Sequence, residues 1–397
     1  MNAQEPATGD SPASRAPIEL TDEALAIHRA ALVIDGHNDL PWKLRQQRRT
    51  DLKGFDLRQP QPELETDFPR LRTGNVGAQF WSAYVPADTI RSGDAAVRTL
   101  EQIDLIHRLV RAYPDELEIA ASADDVERIW QSGKIASMIG IEGGHSIEDS
   151  LGVLRTFYAL GARYMTLTHS DTLSWADSAT DQSRHGGLAP FGIEVIREMN
   201  RLGMLVDISH VSFDTMRMAL RVTRAPLIAS HSSAYAVAAH PRNVPDDVLH
   251  LVRDNGGVIM VNFFSGFVVP ESAAAMAEMF DARRELRARF AGDDAGFTAA
   301  WEQWQSEHPM KPGTVHDVVD HIDHMVRVAG VEHVGLGSDF DGVSLLPEQL
   351  HDVSCYPYIT QELLNRGYSA DDIHLILGRN VLRAWQRAEA VARAWSE

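Results

Sequence analysis

Eight apolar runs of strand length recur along the chain, with segments of helical period between them. The runs are ALVIDG near residue 33, VGAQFWSAYV near 80, IASMIGIE near 138, RYMTLTH near 166, MLVDISH near 206, PLIASH near 228, GVIMVNFF near 260 and HVGLGSD near 335. Each is bounded by turn residues or polar signals, as strands are. Among the intervening segments, AVRTLEQIDLIHRLVRAY sets Leu100, Ile103, Ile106 and Val110 on one stripe. PFGIEVIREMNRLG does the same with Ile193, Ile196 and Met199, between Pro190 and Gly203, and HDVVDHIDHMVRVAG carries Val318, Ile322 and Met325 before Gly330. Strands alternating with helices predict a parallel sheet with helices outside it. Eight is the number that closes such a sheet into a (β/α)8, TIM-like barrel.

Barrels of this kind accommodate insertions, so 397 residues are read as one domain, at 18–397, preceded by a disordered tail over residues 1–17. The tail, MNAQEPATGDSPASRAP, is polar and rich in Pro, Ala and Ser. A helix is expected at about residues 21–31. A helical insertion is expected at about 271–312, after the seventh strand, where it caps the site or joins a subunit interface. Hydrophobic residues make up 44% of the chain, enough for a large core, and the net charge of −19 argues against nucleic acid, whose phosphates select Lys and Arg. Cys355 is the only cysteine, so no disulfide within the chain is expected. Neither a signal peptide, a transmembrane helix nor a lipid anchor is signalled, and a cytoplasmic enzyme without membrane attachment is the expectation, with a processed periplasmic form as the alternative.

Five of the eight runs end in a metal-ligand side chain: His37 and Asp39 in LVIDGHNDLPW, Glu142 in IASMIGIEGGHS, His210 in GMLVDISHVS, His231 in PLIASHSSAY and Asp339 in HVGLGSDFDGV. A barrel strand delivers its last residues to one rim, so ligands distant in sequence converge there. His37 and Asp39 are two apart and point the same way in extended chain. Three histidines and two or three carboxylates exceed the needs of one ion, so two metals sharing a bridging carboxylate is the natural reading. Such a pair activates a water and polarises a carbonyl. Taken singly, each residue has a plainer reading, as a hydrogen-bonded rim histidine or a helix N-cap. The joint pattern outweighs these.

Glu142 lies inside an apolar strand and is costly to bury unless paired or metal-bound. His169, in MTLTHSDTLSWADSA, stands as either a sixth ligand or a substrate contact, and His145 as a supporting partner or a loop residue. Asp339 reads as the proton-handling group, ahead of Asp341, which precedes Gly342 and fits a turn. His321 and His324, three apart on a helical face, read as a solvated face rather than a chelating pair.

These motifs strongly resemble the membrane, or renal, dipeptidase family of binuclear zinc peptidases, and its bacterial branch in particular. The resemblance runs from about residue 30 to 385, through DGHNDLPW, VGAQFWSAYVP, SMIGIEGGHSIEDSLGVLR, LTHSDTLSWADS, HVSFDTM, SHSSAYAV, RNVPDDVL and GSDFDGV. It implies a (β/α)8 barrel that hydrolyses dipeptides at its C-terminal rim. His37 and Asp39 would hold one zinc, His210 and His231 the other, and Glu142 would bridge them, with Mn, Co or Fe as possible substitutes. The resemblance implies further that a metal-bridging hydroxide attacks the scissile carbonyl, that His169 stabilises the tetrahedral intermediate, and that Asp339 protonates the leaving nitrogen. Arg242 would take the substrate's C-terminal carboxylate, for which its planar fork is suited. Phe267 stands where the renal enzyme has a substrate-contacting tyrosine, so a hydroxyl contact is expected to be missing. A D-residue at the C-terminal position and a homodimer are also implied. The competing expectations are a metal amidohydrolase acting on N-acyl amino acids, lactams or lactones, and a catalytically silent binding homologue.

Overall fold

The computed structural model describes residues 15–395. The eight runs form strands, and a ninth joins them: β1 (Val33–Asn38), β2 (Val76–Tyr84), β3 (Leu117–Ile119), β4 (Ile135–Glu142), β5 (Ala162–Thr166), β6 (Leu205–Asp207), β7 (Ile228–Ala229), β8 (Val258–Val261) and β9 (Val334–Leu336). All pairings between them are parallel. The order β2-β1-β9-β8-β7-β6-β5-β4 closes on itself because β2 also pairs with β4, from Ala78 opposite Ala136 to Tyr84 opposite Glu142. The result is a closed eight-stranded barrel ringed by helices. Both sheet faces are covered, which is why the strands are apolar runs rather than alternating ones.

β3 lies outside the closed ring. It pairs with Ile135–Ser137 at the start of β4, and β5 takes over the same edge from Ile139 onward. Three residues with Glu118 in the middle are too short and too polar to signal a strand by periodicity.

Among the helices, Asp22–Ala30 is capped by the Thr21 side chain, which accepts from Ala24 N–H. Ala95–Ala112 buries Ile103, Ile106 and Val110 as its spacing predicts, but Leu100 is 39% exposed, and Thr99 and Gln102 take the inward face in its place. Pro190–Leu202 buries Ile196 and Met199 with Ile193 at the margin, and Val315–Ala329 buries Val318, Ile322 and Met325. His321 is also buried on that helix, contrary to the solvated face expected: its Nδ1 accepts from Ala234 N–H at 2.9 Å and its Nε2 donates to the Val268 carbonyl at 3.0 Å. His324 does not chelate with it but pairs with Asp246 at 2.7 Å.

Two helices, Pro270–Arg289 and Asp294–Glu307, follow β8. Only Ser272, Ala273 and Phe297 are fully buried in them. Of the tail expected over residues 1–17, residues 1–14 lie outside the described residues. Arg15 forms an ion pair with Asp320 at 2.9 Å, and the Ala16 carbonyl meets His316 Nε2 at 2.9 Å, so the chain is anchored from there on.

Candidate metal centre and substrate cavity

The C-terminal strand ends bring the predicted residues to one rim. β1 contributes His37, with Asp39 just beyond it, and β4 ends on Glu142. His169, His210, His231 and Asp339 lie two or three residues past β5, β6, β7 and β9. His210 and Asp339 adopt left-handed backbone conformations, φ 66° and 68°, which turn the chain sharply at the rim. Left-handed backbone is costly for residues other than glycine and clusters at functional sites.

The carboxylate of Glu142 lies between the histidines. Its Oε2 is 3.4 Å from His37 Nε2, and its Oε1 is 3.0 Å from His210 Nε2, 3.5 Å from His231 Nε2 and 3.6 Å from His169 Nε2. His37 Nε2 is also 3.2 Å from Asp39 Oδ2, and the Nε2 atoms of His210 and His231 are 2.8 Å apart. The sets His37–Glu142–His231, Glu142–His169–His210 and His37–Asp39–Asp339 each bring their ligand atoms within 4.8 Å of one another.

The tautomers follow from the outer hydrogen bonds. Tyr164 Oη donates to the Gly36 carbonyl at 3.2 Å, so at 2.8 Å it accepts from His37 Nδ1–H. Ser230 Oγ donates to Asp207 Oδ2 at 2.6 Å, so at 2.8 Å it accepts from His231 Nδ1–H. With Nδ1 as the donor, Nε2 is the atom each ring turns to the centre, the arrangement by which a histidine ligates a cation. Burial opposes charge on His37, but Tyr164, Glu142 and Asp39 outweigh it and raise this imidazole well above the usual range, so a cation there would replace its Nε2 proton. Burial, with the Arg242 charge adding to it, holds His210 and His231 well below the usual imidazole range and keeps those lone pairs free. His37 Nε2 and Asp39 Oδ1 are buried without a hydrogen-bond partner, which a bound cation would satisfy. The donor set fits divalent transition metals.

Burial opposes ionisation of Glu142, yet the facing His37, His210 and His169 outweigh it and hold its carboxyl well below the ordinary range. Asp339 behaves oppositely. Burial, reinforced by the Asp39 and Glu142 charges, pushes it up to about 8 against the pull of His37. Its Oδ2 accepts from Asn262 Nδ2 at 2.8 Å. Asp341 also lines the cavity, but its Oδ1 is taken by Glu65 N–H at 2.9 Å, and its φ of 64° is in keeping with the expected turn. His145 reaches the Val85 carbonyl through Nε2 at 3.0 Å and takes a loop-anchoring role.

A cavity of about 480 Å³ opens onto the centre, with Asp39, Glu142, His169, His210 and Asp339 at its floor. Arg242, 2% exposed, is fixed by Ser232 Oγ and the His231 carbonyl, both at 3.3 Å, while its Nε is unpartnered. Its guanidinium lies 5.2 Å over the Phe267 ring. Phe264, Phe267 and Met276 form an apolar wall, and Met276 comes from the helix Pro270–Arg289. Trp42, Lys43 and Gln46, from the helix Leu40–Gln46, form a second wall that is polar. Tyr84 joins Trp42 edge-on at 5.0 Å and His169 at 4.8 Å.

Asp35, Asp207, Tyr164 and Asn262 were not singled out from sequence. Asp35 and Asp207 had a signal, since each is an acidic residue inside a strand-length apolar run, the feature that marked Glu142. Tyr164 and Asn262 look like ordinary strand residues. The Tyr164 ring has room only because residue 140 is glycine: a Cβ there would lie 2.0 Å from Cζ of the tyrosine.

A closed parallel barrel with His and carboxylate ligands converging at its C-terminal rim, beside a cavity, is the architecture of a metal-dependent hydrolase. The chain matches the membrane dipeptidase family (peptidase family M19) over residues 21–397 and belongs to it; it is a dipeptidase of that family. Among solved structures, the "probable dipeptidase PvdM" from Pseudomonas aeruginosa is 26% identical and aligns over 93% of this chain and 98% of its own, with a TM-score of 0.80. A metallopeptidase from Rhodobacter sphaeroides, liganded with a phosphinate mimic of the dipeptide L-Ala-D-Ala, has the same fold at 22% identity, covering 90% and 99%, with a TM-score of 0.73. Among the described residues no helix is long and apolar enough to cross a membrane.

Proposed function

We propose that the chain hydrolyses free dipeptides with two zinc ions, His37 and Asp39 holding one, His210 and His231 the other, and Glu142 both. The observation that carries this reading is the division of the Glu142 carboxylate, one oxygen facing His37 and the other facing His210 and His231. Bound there, the ions supply Lewis acidity and an activated water.

The protein's own groups do the rest. Arg242 takes the C-terminal carboxylate through a guanidinium whose Nε is unpartnered and whose face rests on Phe267. His169, which burial lowers to about 4, is a neutral imidazole at neutral pH and donates to the oxygen that gains charge when the carbonyl is attacked. Asp339 takes the proton of the attacking water and passes it to the leaving nitrogen; its raised affinity for protons in the bare site suits that transfer, and the cations would draw it down again. Tolerance of a D-residue at the C-terminal position is proposed from the ligand of the Rhodobacter relative. A homodimer in the cytoplasm is the assembly and setting proposed, to be checked by light scattering and cell fractionation.

The test is the initial rate on L-Ala-L-Ala, L-Ala-D-Ala and their N-acetyl forms, with zinc-loaded and chelated protein. Chelator-sensitive cleavage of the free dipeptides is expected. Cleavage of the acetylated forms alone would reassign the site to N-acyl amino acids. Asp339→Asn should keep its metal, by elemental analysis, and lose roughly 10²- to 10⁴-fold in turnover.

A further inference from the structure

The two walls of the cavity differ in chemistry. The wall formed by Phe264, Phe267 and Met276 follows β8 and presents no charge. The other wall, which follows β1, carries the donors of Trp42, Lys43 and Gln46, and Ser344 also lines the cavity. None of these four side chains has a hydrogen bond or ion pair among the described residues. Lys43 is half-buried, and the carboxylates nearest it electrostatically, Glu65 and Asp341, each accept from the other's main-chain N–H instead. An ammonium that lines a cavity with no partner is a group waiting for an anion.

The direction in which a substrate lies decides which part of it meets this wall. Arg242 follows β7, whereas Lys43 follows β1, and β8 and β9 intervene in the barrel order. With the α-carboxylate on Arg242 and the scissile carbonyl over Glu142, an N-terminal side chain that turns toward β1 meets the helix Leu40–Gln46. We propose that Lys43, assisted by Gln46 and Ser344, forms a subsite for an acidic side chain on the N-terminal residue. The preferred substrates are then dipeptides that begin with Glu or Asp and end in an apolar residue against Phe267 and Met276. This inference rests on the dipeptidase reading.

Zinc-loaded protein should be assayed on L-Glu-L-Ala, L-Gln-L-Ala, L-Lys-L-Ala and L-Ala-L-Ala. Glu and Gln side chains share a shape and differ in charge, so the ratio of their kcat/KM values reports the ammonium. A charged hydrogen bond predicts a ratio of at least about tenfold in favour of L-Glu-L-Ala. Lys43→Met should bring the ratio to about one, and Lys43→Glu should invert preference toward L-Lys-L-Ala. A ratio of one in the unaltered protein, or one that Lys43→Met leaves intact, overturns the subsite. If L-Ala-L-Ala is cleaved while the ratio is flat, the subsite alone falls; if no dipeptide is cleaved, the dipeptidase reading falls with it.

Discussion

Two buried aspartates, Asp35 beneath His37 and Asp339 and Asp207 beneath His210 and His231, repeat the same local design on the two halves of the proposed metal centre and differ in how they reach the rings. Each accepts from the main-chain N–H two residues on, His37 at 3.3 Å and Ser209 at 3.0 Å. Each also accepts both N–H and Oγ–H of a serine on the neighbouring strand's end: Ser338 at 2.8 and 2.7 Å, and Ser230 at 2.8 and 2.6 Å. Those serines immediately precede Asp339 and His231, so a single carboxylate sets the spacing between two functional residues. The difference that bears on the centre lies in the rings. Asp207, which also accepts from Thr166 Oγ1, reaches the His231 imidazole through Ser230 Oγ, whereas Asp35 holds backbone, Ser338, Gln79 and Tyr356, and the His37 ring is oriented from across the barrel by Tyr164. One half is tuned through a carboxylate relay and the other through a phenol, so the same strand-locking device is separable from ligand tuning.

The Glu142 carboxylate faces both halves, and its removal is the severest way to break the comparison. Glu142→Gln should lower occupancy of both metal positions together and reduce turnover on the order of 10³-fold, given the several kcal/mol a metal contributes to charge stabilisation. Metal analysis after dialysis, alongside kcat, measures this. Two ions retained at full affinity would contradict the bridging role.

Replacing the aspartates separates the halves. Asp207→Asn disturbs the relay to His231 and should weaken one metal position about 10- to 100-fold while the other holds. Asp35→Asn should act mainly on stability, lowering it by about 1–3 kcal/mol in chelated protein, because its partners are chiefly backbone and serine groups left without their acceptor. Competitive metal titration and denaturant unfolding, run on both variants, check the contrast. If both variants lose the same ion affinity and the same stability, the distinction drawn from the rings is wrong.

The clustered side chains are readable in sequence because the barrel converts strand-end position into proximity: His37, Glu142, His210 and His231 each stand at the end of an apolar run, and the ring closure makes them neighbours. Asp35 and Asp207 carried the same acidic-in-apolar signal as Glu142, but nothing in one sequence says whether such a carboxylate faces an ion or a backbone. Tyr164 was hidden because its role depends on the absent side chain at Gly140, on a different strand. β3 was hidden by its brevity. Leu100 and His321 misled for a common reason: helical period marks a stripe but not which neighbour covers its edge, and His321 found two backbone partners where solvent was expected.

The mildest probe of the two halves uses histidines remote from the ligands. His28, on the helix before β1, bonds Thr360 Oγ at 2.7 Å and the Gly74 carbonyl at 2.9 Å; His321, on the helix Val315–Ala329, spans Ala234 N–H and the Val268 carbonyl. Burial lowers both to about 4. The unfolded value is about 6.5, so between these limits the unfolded chain binds more protons than the folded one. The stability each contributes is present above about pH 6.5 and is lost as pH falls toward about 4. At pH 5.5 the loss relative to neutral pH is about 1.4 kcal/mol for each histidine. Unfolding of chelated protein at pH 7.5 and 5.5 should therefore show a drop that His28→Gln and His321→Gln each reduce by about that amount, additively, since the two sites share no partner. A drop unchanged in both variants would show that neither imidazole carries the acid sensitivity, and the burial argument for both would fail.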